Sequence, residues 1–178
     1  MTADVFITRL AAFLPLEPID NDRMEDVLGR VGGRRSRARS VILRSNGIQR
    51  RHYVIDPATG EPRYNNAQLT AEAIRRLTGN GFELAQIDLL ACGTSSPDQL
   101  MPSHAAMVHG ELKNPPCEIA SAAGICASGM TAFKYAYMAV RAELAANAVA
   151  TGSEADSTYM LARNFEKESE AKLQELET

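Results

Sequence analysis

The chain has 178 residues, 45% of them hydrophobic and 23% charged, with a formal net charge of −3. That suffices to bury one ordinary core, leaves little room for two full domains, and includes no run of roughly 20 uncharged apolar residues that could span a bilayer. The three cysteines, at 92, 117 and 126, are odd in number and lack a CxxC spacing, so neither a disulfide framework nor a metal centre is expected.

The opening residues lack a basic start followed by a long apolar run and a small-residue cleavage site, so a cytoplasmic, soluble protein is expected. Val5 to Leu14 is apolar and partly β-branched, which predicts a first strand, broken by Pro15 and Pro18. Asp20 to Leu28 suits a helix that Gly29, Gly32 and Gly33 would end. Ser40 to Arg44 is expected to be extended ahead of a turn at Asn46-Gly47.

Arg30, Arg34, Arg35, Arg37, Arg39, Arg44, Arg50 and Arg51 share one segment without an acid. They are expected to face an anion or an acidic partner, although a solvated surface with incidental arginines accounts for the pattern equally well. Nucleic acid is disfavoured, because the rest of the chain is acidic and Tyr53 alone interleaves with the arginines.

Asp56 to Asn66 reads as a loop. Asn66 could cap a helix to about Leu77 with Leu69, Ala73, Ile74 and Leu77 on one face, stopped by Gly79 and Gly81. Gln86 to Gly93 is a short apolar run, as in a strand buried on both faces of a parallel sheet. Pro102 suits the first turn of a helix to Leu112, which Asn114-Pro115-Pro116 would break. Cys117 to Ala120 is expected as the next strand, and Ala148 to Gly152 as another. Between them Ala127 to Ala146 is the longest helical pattern, with Met130, Phe133, Tyr137, Val140 and Leu144 at helix spacing. Alternating strands and helices argue for α/β layers around a mostly parallel sheet. Arg163 to Thr178 reads as an exposed helix or frayed tail, with the last buried element near Thr151.

The chemistry concentrates at Ile119 to Met130, where small residues crowd around Cys126. Gly124 permits a sharp strand-to-helix turn, and the helical pattern that follows places Cys126 in the first turn, deep in the protein. Unpaired N–H groups at a helix start favour a thiolate and could hold an oxyanion. Cysteine is also a common filler of small core gaps, and the local sequence alone leaves that role open.

Four motifs occur in order: Arg44 to His52 (RSNGIQRRH), Thr94 to Ser96 followed by Met101-Pro102-Ser103, Ala123 to Gly129 around Cys126, and Thr151-Gly152-Ser153-Glu154. Together they resemble the β-ketoacyl-acyl-carrier-protein synthase III family over nearly the whole chain. Asn46, where that family has threonine, and Gly124-Ile125, where it has alanines, are departures. The resemblance implies one half of the pseudo-symmetric αβαβα thiolase-like architecture with a mostly parallel mixed sheet, as a half-domain over 1–160 and a charged tail over 161–178.

It further implies a condensing acyltransferase. Cys126 would accept an acyl group from acyl-CoA or acyl-carrier protein, and decarboxylative condensation with malonyl-carrier protein would follow. Arg44 would line the coenzyme A entrance. Met101 would sit at the dimer interface closing the partner's acyl pocket, where ordinary packing is an equal possibility. Thr94, Ser95 and Ser96, by their place after the buried strand, could face the pocket, although plain turn formation explains them equally. No tightly bound cofactor is implied, only coenzyme A or phosphopantetheine thioesters as substrates. The catalytic His and Asn of that family belong to its second half, so association with a complementary carboxy-terminal half, within a homodimer of the complete enzyme, is expected. Alternatives are acyl transfer to an oxygen or nitrogen acceptor without decarboxylation, and a non-catalytic subunit. His52, His104 and His109 are expected at surfaces or interfaces, Cys92 and Cys117 within strands of the core, and Glu154 as either a crevice or a capping residue.

Overall fold

The computed structural model describes residues 4–167. They form two compact units, one of residues 15–64 and 155–167, the other of residues 4–14 and 65–154.

In the first unit, β1 (Ile19–Asp20) and β2 (Arg50–Arg51) pair antiparallel. Asp20 is not helical as expected. Its Oδ1 instead accepts the N–H groups of Asp22 and Arg23 at 3.0 and 2.9 Å, so α1 starts later, over Met24–Leu28. Gly29 ends it with φ +84°, and a Cβ there would lie 3.0 Å from the Ala162 Cβ. The extended run expected at Ser40 to Arg44 is instead helix α2 (Arg39–Asn46). The β-branched Val41 and Ile42 only weakly disfavour a helix, and the ends decide the outcome. Arg39 donates to the Asn21 carbonyl and pairs with Asp22 at the start, while Gly47 closes the helix in the left-handed region.

Not all of the arginines are free. Arg30 and Arg35 pair with the buried Glu25, and Arg30 also reaches Asp26. After β2, Tyr53, Val54 and Ile55 are buried, and the Val54 N–H donates to Ser157 Oγ at 3.1 Å. The loop that follows turns back on itself, with the Asp56 N–H bonded to the Glu61 carbonyl at 2.9 Å. Ala155, Ser157, Leu161 and Ala162 are all buried, so packing continues beyond the expected last element near Thr151. Of the charged tail, residues 168–178 lie outside the described residues.

In the second unit the expected first strand is absent. Residues 5–14 pair with no neighbouring strand and are held by side chains. Arg9 donates to the carbonyls of Gly79 and Asn80 and lies over the Phe82 ring, and Arg76 donates to the Ala12 carbonyl and lies over Phe13. Helix α3 (Asn66–Arg75) is capped by Asn65 rather than Asn66, in a capping box with Gln68. Of the expected face, Leu69 and Ile74 are buried, together with Ala67, Thr70 and Ala71, while Ala73 and Leu77 are half-buried.

Strand β3 (Leu89–Gly93) is buried throughout, as its apolar run predicts. Helix α4 (His104–Leu112) begins after Pro102 rather than with it, because the Ser103 hydroxyl supplies the cap by accepting the Ala106 N–H. Strand β4 is Glu118–Ala122, so Cys117 precedes the strand in which it was expected. Helix α5 (Ser128–Arg141) and strand β5 (Ala148–Gly152) complete the unit. The sheet order is β4-β3-β5, all parallel. Alternate residues of β3 face opposite layers: Leu90 and Cys92 pack with Ala71, Ile74, Ala105 and Val108 of α3 and α4, and Leu89 and Ala91 pack with Ala132, Ala136 and Ala139 of α5.

Helix α5 corrects two expectations. Its sheet-facing side is made of Ser128, Ala132, Ala136 and Ala139, while Met130, Phe133 and Tyr137 are exposed. It also stops before Ala146. Glu143 turns into the left-handed region, and the Leu144 N–H bonds back to the Ala139 carbonyl at 2.9 Å.

Candidate active site

The carboxyl ends of β3, β4 and β5 meet the start of α5 at glycines. A Cβ on Gly93 would lie 2.2 Å from the Ser128 carbonyl oxygen, and one on Gly129 would lie 3.2 Å from the Gly152 Cα. Gly93 and Gly152 are register partners, so together they let the helix backbone rest directly on the sheet. Between β4 and α5 the chain turns through Gly124 and a single 3₁₀ turn, Ile125–Ala127, whose Ala127 N–H bonds to the Gly124 carbonyl at 3.1 Å. Ile125 has φ +50°, a left-handed conformation that costs a β-branched residue about 1–3 kcal/mol. The Ser128 hydroxyl steadies the turn by donating to the Ile125 carbonyl at 2.8 Å.

This elbow carries Cys126. The expectation of a deeply placed sulfur is corrected, because Cys126 is exposed. The small residues of α5 close the contact with the sheet and leave the cysteine outside that layer, next to Ile125, which is 75% exposed. The other two cysteines differ. Cys92 is fully buried in β3, and burial pushes its thiol up to about 11. Cys117 is half-buried, with Asn114 Nδ2 3.6 Å from its sulfur.

Next to the elbow lies a knot of polar side chains that sequence reasoning did not assemble. Thr94 follows β3, and its backbone N–H reaches the Ala122 carbonyl of β4 at 3.1 Å. It is 3% exposed, and its hydroxyl accepts from Asn66 Nδ2 at 2.8 Å and from the Ser96 N–H at 3.1 Å while donating to Glu154 Oε2 at 3.2 Å. Glu154 also accepts the N–H groups of Ser95 and Ser96 and the Ser96 hydroxyl. Desolvation pushes the Glu154 pKa up, but the bonds from Ser96, Ser95 and Thr94 outweigh it and hold the carboxyl below the usual glutamate range. Of its two possible roles, Glu154 thus fills the capping one, tying the loop after β3 to the end of β5.

The carboxylate of Asp98 accepts the Asn66 and Ala67 N–H groups at 2.7 and 2.9 Å, placing negative charge at the start of α3. His104 corrects another expectation, being 2% exposed rather than at a surface. Its Nε2 lies 3.3 Å from both Thr70 Oγ1 and Ser153 Oγ, which explains why the fold accepts it inside. Burial lowers its pKa, and the nearby Asp98 and Glu154 only partly oppose this. His52 and His109 are half-buried, with ring nitrogens on the Pro15 and Leu16 carbonyls and on the Pro115 carbonyl. No local pattern could have announced the knot, since its members come from four separate segments.

Of the remaining candidates, Met101 belongs to this unit and is 86% exposed, just ahead of α4. Arg44 belongs to the other unit, exposed in the last turn of α2. Among the described residues no helix is long and apolar enough to cross a membrane.

No family model matches the chain. It is 32% identical over 120 residues to the β-ketoacyl-[acyl-carrier-protein] synthase III of Sphingopyxis alaskensis, covering 67% of this chain and 36% of that protein. It is 30% identical over 151 residues to the protein of the same name from Anaplasma marginale, covering 83% and 42%. Among solved structures, the β-ketoacyl-[acyl-carrier-protein] synthase III of Thermus thermophilus superposes with a TM-score of 0.66 at 24% identity, covering 85% of this chain and 43% of that one. A tetronic acid condensing enzyme superposes with a TM-score of 0.62 at 25% identity, covering 83% and 44%. The chain thus spans 36% and 42% of the length of the two curated relatives. In sequence and in thiolase-like fold it belongs with the β-ketoacyl-[acyl-carrier-protein] synthase III family, and its extent fits the amino-terminal half of those longer proteins.

Proposed function

We propose that Cys126 is the acyl-accepting nucleophile of a condensing acyltransferase whose other catalytic groups lie on a complementary carboxy-terminal half. The observation that carries this reading is the exposed cysteine on a strained strand-to-helix elbow at the carboxyl end of a parallel sheet, where ligands of α/β folds commonly bind. In the first stage the Cys126 sulfur attacks the carbonyl of an acyl thioester. The bond to the departing coenzyme A or carrier sulfur breaks, and that sulfur leaves with the proton the cysteine gives up. N–H groups at the start of α5 are suited to hold the intermediate oxyanion.

In the second stage malonyl-carrier protein loses CO2. The electron pair of the broken C–C bond becomes a carbanion that attacks the acyl carbon on Cys126, forming a 3-oxoacyl thioester and freeing the cysteine sulfur. A His and an Asn of the complementary half stabilise that carbanion, by resemblance to the family. Arg44 binds the phosphates of coenzyme A, for which a guanidinium is well shaped. Met101 lines the acyl pocket across a homodimer, and its flexible side chain admits varied acyl lengths. Thr94 acts from behind, by holding the loop after β3.

The test is intact-mass detection of a thioester after incubation with acyl-CoA, with and without the complementary half, in wild type and Cys126→Ala. Label on wild type alone supports the reading. Equal label on both proteins, or none in the reconstituted complex, overturns it.

A further inference from the structure

The turn after α3 holds a reactive pair of residues under a fixed positive charge. Gly79 and Phe82 exchange both backbone hydrogen bonds, at 2.8 and 3.1 Å, so Asn80 and Gly81 alone make the bend. Both lie in the left-handed region, with φ +49° and +84°, as in a two-residue hairpin turn. Both are exposed, and a Cβ on Gly81 would meet nothing within 4 Å, so the Gly81 nitrogen is unshielded. Among the described residues neither the Gly81 N–H nor the Asn80 side-chain amide has a hydrogen-bond partner. The peptide joining the two residues is held differently. Its oxygen, the Asn80 carbonyl, accepts from Arg9 Nη2 at 2.7 Å, and the same nitrogen reaches the Gly79 carbonyl at 3.1 Å. The guanidinium is seated over the Phe82 ring, 5.1 Å from its centre.

We propose that Asn80 is a site of spontaneous self-modification, deamidating through a succinimide, and that Arg9 promotes the reaction. The Gly81 amide gives its proton to hydroxide, and its nitrogen attacks Asn80 Cγ. The Cγ–Nδ2 bond breaks, and ammonia leaves with a proton from the solvent. Water then opens the ring, at Cγ to give aspartate or at the main-chain carbonyl to give isoaspartate. One water is consumed and one ammonia released, with no oxidant or reductant. Arg9 acts twice on the same oxygen. A cation there stabilises the negative charge that the carbonyl takes up when the amide ionises. During ring opening it holds the oxyanion formed by addition at that carbonyl, which favours isoaspartate and frees an α-carboxylate beside the guanidinium. None of this depends on the role of Cys126. Asn46-Gly47, at the end of α2, is a reference pair within the same chain. It too is exposed with a left-handed glycine, but the Ile48 N–H holds its Oδ1 at 2.9 Å, and no cation among the described residues donates to its carbonyl.

The test ages the whole chain in warm, mildly alkaline buffer and reads aspartate and isoaspartate at both positions by peptide mapping. Asn80 is expected to convert faster than Asn46 and with the larger share of isoaspartate. Arg9→Met should slow conversion at Asn80 about two- to fivefold, the size expected of one solvent-exposed charge contact, and leave Asn46 unchanged. Arg9→Lys keeps the positive charge and should stay closer to wild type. Because losing Arg9 could also loosen the turn, concentrated salt gives a second reading on the unaltered chain: by screening the guanidinium it should narrow the gap between the two sites. The proposal is overturned by an Asn80 that converts no faster than Asn46, or by a rate that is unchanged or raised in Arg9→Met. A lysine variant as slow as the methionine one, or a gap indifferent to salt, overturns it equally.

Discussion

The two faces of the central sheet are packed on different terms. Toward α3 and α4, large side chains such as Leu90, Ile74, Val108 and Leu112 set the separation of the layers. Toward α5 the contact is made by Ala132, Ala136, Ala139 and the bare backbone at Gly93, Gly129 and Gly152. The first arrangement can yield a little when one side chain changes. The second cannot, because atoms of the main chain touch and nothing between them can move aside. The elbow that carries Cys126 is built on the unyielding face.

That contrast can be broken most sharply with Gly93→Val. The new Cβ would overlap the Ser128 carbonyl, so α5 must lift or the unit must unfold, at an expected cost of more than about 3 kcal/mol. Denaturant unfolding reads the loss, and a stability equal to wild type would show that the close approach is not required. On the opposite face Leu90→Ala is expected to cost about 2–5 kcal/mol through the cavity it leaves. The alkylation rate of Cys126 in the folded protein should not change, whereas an altered rate would mean that the two faces are coupled.

A smaller effect concerns the polar knot. His104 has a lowered pKa, so above its unfolded value near 6.5 it costs nothing, and stability falls as pH drops below 6.5 because the unfolded chain takes up the proton first. Glu154, also lowered, adds stability above its unfolded pKa near 4.5 that is lost as pH falls through the lower folded value. Stability should therefore decline in two steps on acidification, and His104→Gln should remove the first. A melting temperature flat between pH 7 and 5 would contradict this assignment. The smallest expected change comes from Ile125→Gly, which relieves the left-handed strain and should raise stability by about 0.5–1 kcal/mol. Destabilisation would mean that the isoleucine side chain matters more than its backbone.

Legibility in the sequence followed the same division. The apolar run within Gln86 to Gly93 announced β3, because a strand buried on both faces needs little besides apolar residues, and Ala148 to Gly152 announced β5, of which only Val149 is buried. The turn before Cys126 was readable from Gly124, which stands between the strand and the helical pattern. The face of α5 was misjudged, since its large residues Met130, Phe133 and Tyr137 repeat at helix spacing while the contact with the sheet uses alanines and glycine. Periodicity identifies the apolar stripe of a helix without saying what covers it. Val5 to Leu14 has the composition of a strand, but a strand exists only where another chain segment offers a ladder. α2 was hidden by two β-branched residues whose preference is weaker than the Arg39 anchor at one end and the left-handed Gly47 at the other, and His104 by partners far away in sequence.

The backbone contact at Gly93, Gly129 and Gly152 has a consequence for how this protein could be altered. Because the elbow that carries Cys126 is indexed to main-chain atoms, its location does not depend on the bulky outward residues Met130, Phe133 and Tyr137. Those positions can be rewritten, by evolution or by design, to suit a different covering surface without relocating the cysteine.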